Sequence, residues 1–211
     1  MLRYLYADQL DQFPRLKAEM FTHRADQFRT RLGWDVSVDA RGHERDEYDN
    51  LNPLYVIWET AEGGHGGSTR FLPTTGPAMV NDHFGHLIDA PIRSPLIWEC
   101  TRFCMAPGQG PNVAAALMLG GSELMMGFGI RHFVGVFDAR MVRIYKRVGS
   151  SPEVLGSTGE GRTRISVGLW AFDGKAQKRV AVRAGILPAR SRSWFDLSFG
   201  PEPAMEFAAS A

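Results

Sequence analysis

Two charges interrupt a run that is otherwise mostly apolar or small: Glu99 and Arg102 in "WECTRFC", Trp98 to Cys104. A carboxylate or guanidinium is costly to bury unless it meets a partner or does chemistry. Other charges stand among aromatic neighbours. "RADQFRTRLGWD" holds Arg24, Phe28 and Trp34, "ERDEYDN" holds Asp46 and Asp49, and "STRFLPT" holds Arg70. A carboxylate positioned on an apolar strand suits general-base proton transfer, which nominates Glu99. The faces of Phe28 and Trp34 can cover a cation. Arg24 and Arg70 can anchor a carboxylate ligand or tie Asp46 and Asp49 into a network, and the spacing leaves both roles open. On a regular strand Glu99, Thr101 and Phe103 share one face and Arg102 points the other way. That alternation predicts Glu99 looking into a cleft, with Arg102 paired to Asp46 or Asp49 beneath the sheet or at its rim.

The elements that must position these groups are legible in outline. "MLRYLY" reads as a first strand, followed by a helix capped by Asp8 or Asp11, with Pro14 in its first turn and an apolar stripe of Leu10, Phe13, Leu16, Met20 and Phe21. Residues 24–50 lose all periodicity, which predicts an irregular, mobile loop that orders over a bound ligand. "LYVIWE" and "STRFLPT" form a hairpin about "GGHGG", "NDHFGHLID" a short helix, and "PLIWECTRFCM" a central strand. "PNVAAALMLGGSELMMGFG" is a helix weakened by Gly120 and Gly121. "HFVGVF" is a strand, and Asp138 caps the helix "ARMVRIYKRV", which Gly149 ends. "RTRISVGLWAF" is a late strand before a helix that runs from Asp173 to near Gly185, and the tail from Pro188 reads as irregular. With no repeat and no dividing linker, the pattern is one domain over 1–211, α/β or α+β, with a mixed central sheet sandwiched by helices.

Composition narrows the classes. The 211 residues are 44% hydrophobic, enough for a folded core. A formal net charge of +1 gives no global attraction to nucleic acid or an anionic membrane, so basic partner sites must be local patches. No apolar run is long enough to span a bilayer and the acidic N-terminus does not read as a signal peptide, which predicts a cytoplasmic protein. Cys100 and Cys104, four apart on a strand, lie about 13 Å apart, too far for a disulfide, and read as reduced packing residues. His65, His83, His86 and His132 show no metal-ligand spacing, so no metal is expected.

The ordered set Arg24, Phe28, Trp34, Asp46, Asp49, Arg70, Glu99 and Arg102 resembles that of the LuxI-type acyl-homoserine-lactone synthases, over about residues 1–185. The resemblance implies an N-acetyltransferase-like (GNAT-like) fold, and S-adenosyl-L-methionine as a substrate with no separate cofactor. It implies amide formation with an acyl thioester, usually on acyl carrier protein, then ring closure with release of methylthioadenosine. On this view Glu99 is the base, and Arg24, Phe28, Trp34, Asp46, Asp49, Arg70, Thr101 and Arg102 form the S-adenosylmethionine site. Phe103, Met118, Leu124, Met125, Met126, Gly135 and Met141 are expected to line an acyl slot. A bare Gly135, where relatives making 3-oxo signals carry Thr, predicts a chain unsubstituted at carbon 3. Arg140, Arg143, Lys146 and Arg147 on one helix offer a dock for an acidic carrier, with Lys175, Lys178, Arg179 and Arg183 on the next. The alternative is a GNAT-like N-acyltransferase using acyl-CoA, since Gly108 and Gly110 in "MAPGQGPN" follow the central strand, although Met105 stands where that family has Arg or Gln. A third class, a non-catalytic binding module, sits poorly with the completeness of the set.

Overall fold

The computed structural model describes residues 1–200. Seven strands form one sheet in the order β1-β2-β3-β4-β5-β7-β6. They are β1 (Leu2–Tyr6), β2 (Leu54–Glu59), β3 (His65–Pro73), β4 (Ile97–Met105), β5 (His132–Asp138), β6 (Glu153–Thr158) and β7 (Ile165–Ala171). The β4–β5 pair is parallel and every other pair antiparallel, so the sheet is mixed, with the strand that carries Glu99 at its centre. One face is covered by α3 (Pro111–Gly127), α4 (Ala139–Val148), α5 (Gly174–Ala184) and α6 (Pro188–Phe199), packed on Leu2, Tyr4, Leu54, Val56, Phe71 and Phe133. The other face carries α1 (Pro14–Ala25) on Tyr55 and Ile57, and the short α2 (Met79–Phe84) beside Val134 and Val167.

Several elements differ from their expected form for identifiable reasons. Neither Asp8 nor Asp11 caps α1. Residues Ala7–Gln12 form a 3-10 turn, and α1 starts at Pro14 with Phe13 as its N-cap. Asp11 instead pairs with Lys17 at 2.6 Å. Segment 24–50 is less irregular than its sequence. Arg24 belongs to α1, Asp26–Arg31 widen that helix into a π-turn, and Glu47–Asn50 form a 3-10 turn capped by the Asp46 carboxylate. Gly120 and Gly121 sit where α3 crosses the sheet. A Cβ on Gly120 would lie 2.6 Å from Val56, so the glycine permits a close helix–sheet approach. His65, Gly66 and Gly67, read as turn residues, already belong to β3. The tail from Pro188 is helical to Phe199. Phe195 and Phe199 of α6 pack edge-on or tilted against Tyr4, Tyr6 and Phe128, an apolar stripe masked in the sequence by the serines and arginines between. The rest of that tail lies outside the described residues. Strand β6, at the sheet edge and largely exposed, has no burial pattern to betray it.

Candidate active site

Strands β4 and β5 pair only through Ile97–His132, Trp98–Phe133 and Glu99–Val134, yet β4 runs on to Met105 and β5 to Asp138. A cavity of about 770 Å³ occupies the place where they part. Cys100 to Phe103 and Gly135 to Asp138 line it from the two strands. On the α1 side the wall is Gln27, Phe28, Trp34, Met79 and Phe84, with Thr101 and Arg102. On the α3 side it is Phe71, Leu117, Met118, Met125, Met141, Ile144, Tyr145 and Trp170. The cavity thus has a polar, aromatic half and an apolar half.

A bulge in β4 sets which side chains face which half. Arg102 has φ of +52°, and the register against β3 shifts between Ser68 and Arg70. The extra residue reverses the alternation. Arg102 therefore lies on the same face as Thr101, against the expectation of opposite faces, and Phe103 turns to the α3 side with Cys100 and Met105. The bulge also separates the cysteines. Cys104 reaches the His23 carbonyl on α1, whereas Cys100 packs on the α3 side; both are free thiols.

Behind the polar half lies an ionic network. Arg24 donates to Glu44 at 2.6 Å and bidentately to Asp49 at 2.9 Å. Arg70 donates to Asp49 at 2.8 Å, to both oxygens of Asp46 and, through Nε, to Thr101 Oγ1 at 3.0 Å. Arg102 reaches Glu44 at 2.9 Å and Asp46 at 2.8 Å, and Tyr55 donates to Asp49 at 2.6 Å. Burial opposes ionisation of Asp49, but Arg24, Arg70 and Tyr55 hold its carboxyl well below the usual range. Arg24 and Arg70 both enter the network that was one of their two expected roles. Both are fully buried in the network, and neither they nor Asp46 and Asp49 line the cavity. Arg102 does line it, over the Phe28 ring at 5.5 Å, and Phe28 stacks on Trp34 with centroids 5.2 Å apart.

A sequence model described as autoinducer synthase matches residues 11–180. The chain belongs to the autoinducer synthase family. The acyl-homoserine-lactone synthase of Rhizobium etli is 42% identical over 178 residues, which cover 81% of this chain and 84% of that one. The solved structure of the synthase LasI superposes with a TM-score of 0.75 at 27% identity, over 89% of this chain and 96% of LasI. The CoA-dependent acyl-homoserine lactone synthase BjaI, solved with SAM and isopentyl-CoA, gives 0.77 at 20% identity, over 90% and 91% of the two chains. An N-acetyltransferase fold from Lactobacillus plantarum gives 0.53 at 11% identity, covering 82% of this chain and 99% of the other. The fold is GNAT-like, and the enzyme is an acyl-homoserine-lactone synthase, an acyltransferase.

Not every expected site residue of the synthase reaches the cavity. Glu99 is 1% exposed and does not line it. Its two oxygens accept from the amides of Met79 and Val80, at 2.9 and 2.6 Å, at the start of α2. Burial raises its pKa, against the pull of those amides and of Arg70. Met79, whose amide holds one Glu99 oxygen, itself lines the cavity. Phe103, Met118, Met125, Gly135 and Met141 do line the cavity. Leu124 is buried in the core instead, and Met126 faces outward at 38% exposure, because consecutive helical residues cannot share one wall. Gly135 has a packing reason to be glycine. A Cβ there would stand 2.8 Å from the Cys100 carbonyl oxygen and 3.4 Å from Trp170. Its bareness therefore has a reason in the close approach of the strands as well. Arg140, Arg143, Lys146 and Arg147 are all exposed on α4, and Asp138 caps that helix as expected.

Sequence reasoning missed Glu44 and Gln27. Three arginines, two of them fully buried, against Asp46 and Asp49 leave one positive charge over, and Glu44, completely buried, supplies the missing carboxylate. That charge count was the available signal. Gln27 clamps the π-turn to β4, donating to the Phe103 carbonyl at 2.9 Å and accepting from the Met105 amide at 3.3 Å. Nothing in its sequence context marks it. Among the described residues no three His, Cys, Asp or Glu side chains group to hold a metal, and no helix is long and apolar enough to cross a membrane.

Proposed function

We propose that this synthase joins the amine of S-adenosyl-L-methionine to an acyl group delivered as a thioester, then closes the lactone. The observation that carries the reading is the two-sided cavity at the β4–β5 parting. The polar half, with the Phe28–Trp34 stack, suits a sulfonium cation. The apolar half suits a flexible acyl chain. The nitrogen attacks the thioester carbonyl carbon, the carbon–sulfur bond breaks and the carrier leaves as a thiol. The carboxylate oxygen of the same substrate then displaces the sulfonium sulfur, releasing methylthioadenosine. Bound SAM and isopentyl-CoA in BjaI support both substrate classes. Either CoA or an acyl carrier protein can present the thioester, and the exposed cationic face of α4 favours an acidic carrier.

In this reading Glu99 removes the ammonium proton, reached past Met79, and its raised pKa suits that role. The ionic network fixes the floor of the donor half instead of touching substrate. The experiment supplies S-adenosylmethionine with acyl-CoA or acylated carrier protein and follows methylthioadenosine. Release in step with thioester consumption is expected, and its absence with both carriers rejects the reading. Glu99→Gln should lower turnover by roughly 10²-fold. A folded Glu99→Gln variant that binds both substrates and turns over within a fewfold of wild type would assign Glu99 to anchoring α2 alone.

A further inference from the structure

Helix α2 carries the amides that hold Glu99, yet it has only six residues, Met79–Phe84, and no side-chain cap at its own N-terminus. A helix that short does not hold itself in place. Its neighbours do, and each holds a different side. Val80 is buried with Val134 and Val167 of the sheet. Asn81 bonds the Ile92 backbone through both ends of its amide, at 2.8 Å each. Asp82 accepts a hydrogen bond from the Tyr48 hydroxyl at 2.9 Å. Asp82 stands three residues after Met79, so the two share the helix face turned to the polar half of the cavity, which Met79 lines.

Tyr48 is the fixed end of that bond. It is buried, and the turn that bears it is flanked by Asp46 and Asp49 of the ionic network. Its amide donates to the Asp46 carboxylate at 3.1 Å, and the Arg70 guanidinium lies over its ring, 5.6 Å from the centroid. Asp82 is the loose end, exposed on α2. The His83–Glu47 pair across the same junction, at 3.3 Å and more than half exposed on both sides, adds little. Arg70 also bonds Thr101, two residues after Glu99 on β4. The network therefore reaches Glu99 by two routes, along β4 through Thr101 and through Tyr48 and α2. A reacting group displaced by roughly 1 Å can lose about a hundredfold in rate, so the second route bears on chemistry.

We propose that Tyr48 and Asp82 are positioning residues for the reaction: their hydrogen bond fixes the Met79 face of α2, and with it the pair of amides that sets where the Glu99 carboxylate lies. This rests on the proposed reaction with Glu99 as its base. The network beneath the cavity then acts on turnover without touching substrate.

The test measures kcat, both KM values and the urea midpoint. Tyr48→Phe keeps the ring and removes the donor. It should lower kcat by about tenfold, with KM for S-adenosylmethionine and for the acyl thioester within about twofold of wild type. Asp82→Ala should do the same, and Asp82→Asn, which keeps an acceptor oxygen, should recover most of the loss. Tyr48→Phe added to Glu99→Gln should cost less than about threefold more, because a residue that acts through Glu99 has nothing left to position. Full additivity in that pair overturns the assignment. So does a fall in the urea midpoint with kcat per folded enzyme unchanged, the mark of a purely structural bond. If wild type releases no methylthioadenosine, or Glu99→Gln turns over like wild type, the proposed reaction or its base falls and this assignment with it. If Glu99→Gln is slow while Tyr48→Phe keeps wild-type kcat, the assignment alone falls.

Discussion

Beneath the donor half of the cavity, Arg24, Arg70 and Arg102 meet Glu44, Asp46 and Asp49, three charges of each sign. Under α6, across the sheet, Tyr4 of β1, Glu123 of α3 and Ser191 and Arg192 of α6 form a second buried polar group. There the Tyr4 hydroxyl and one Glu123 oxygen make no hydrogen bond among the described residues. Burial raises the pKa of Glu123 despite Ser191 and Arg192, whereas the network drives that of Asp49 down. The two groups show that burial alone does not set the worth of a polar residue. A closed, charge-balanced set locks its surroundings, while a partly satisfied set is a place where the fold can be improved.

The sharpest break of this contrast is Arg24→Ala, which leaves three carboxylates against two guanidiniums, Glu44 paired with Arg102 alone and Asp49 with Arg70 alone. Breaking such a pair costs about 3–5 kcal/mol, so the urea midpoint should fall steeply or the chain should not fold. Arg24→Lys should recover little, since an ammonium cannot reproduce the fork that spans Glu44 and Asp49. A variant with wild-type stability would show that the network is not the lock described.

Glu44→Gln comes next. It keeps the shape but leaves Arg24 and Arg102 with one carboxylate too few. The expected loss is about 2 kcal/mol, the scale of a hydrogen bond to a charged group. Chemical denaturation at pH 7 measures it, and a neutral result would return the network to the two aspartates alone.

The smallest effect tests the other side. Asp49 has a folded pKa below its unfolded value, so its contribution is full above about pH 4 and is lost as pH falls through the folded value, at up to about 1.4 kcal/mol per pH unit. Glu123 has the opposite sign. Its folded pKa is raised, so its contribution is full below about pH 4.3 and declines as pH rises through the folded value. Glu123→Gln should therefore be neutral or stabilising by up to about 1 kcal/mol at pH 8, with a smaller gain at pH 4. Urea midpoints at the two pH values decide it. A marked destabilisation at pH 8 would mean that the carboxylate is well served where it lies.

Most of the fold could be read from the chain because strongly periodic or capped segments dictate themselves. The apolar strands "LYVIWE" and "HFVGVF" and the Asp138 and Gly149 boundaries of α4 are of this kind. The misreadings share a cause, which is that three-dimensional neighbours decided them. Helix α6 hides its aromatic stripe between arginines and serines, and the edge strand β6 buries too little to leave a pattern. In the site, residue types pointed to the right cluster, but alternation along β4 gave the wrong face for Arg102 and Phe103. One residue with positive φ changes parity without any mark in the sequence. The depth of Glu99 was hidden too, since the α2 amides that cover it belong to a loop-borne helix some twenty residues away.

The short parallel seam has a consequence in the language of ladders. Beyond Glu99 and Val134, the facing edges of β4 and β5 have no strand between them, although each remains paired on its outer side, with β3 and β7. The sheet is therefore two half-sheets, one of four strands and one of three, stitched together over three residue pairs. Two open edges facing each other form a slot whose walls are backbone amides and carbonyls. An extended arm bearing its own amides can lie there as an eighth, non-protein strand, its hydrogen bonds independent of side-chain identity. On the proposed reaction, an acyl carrier's arm would be held there by the main chain, leaving lining side chains such as Met118 free to vary with the cargo.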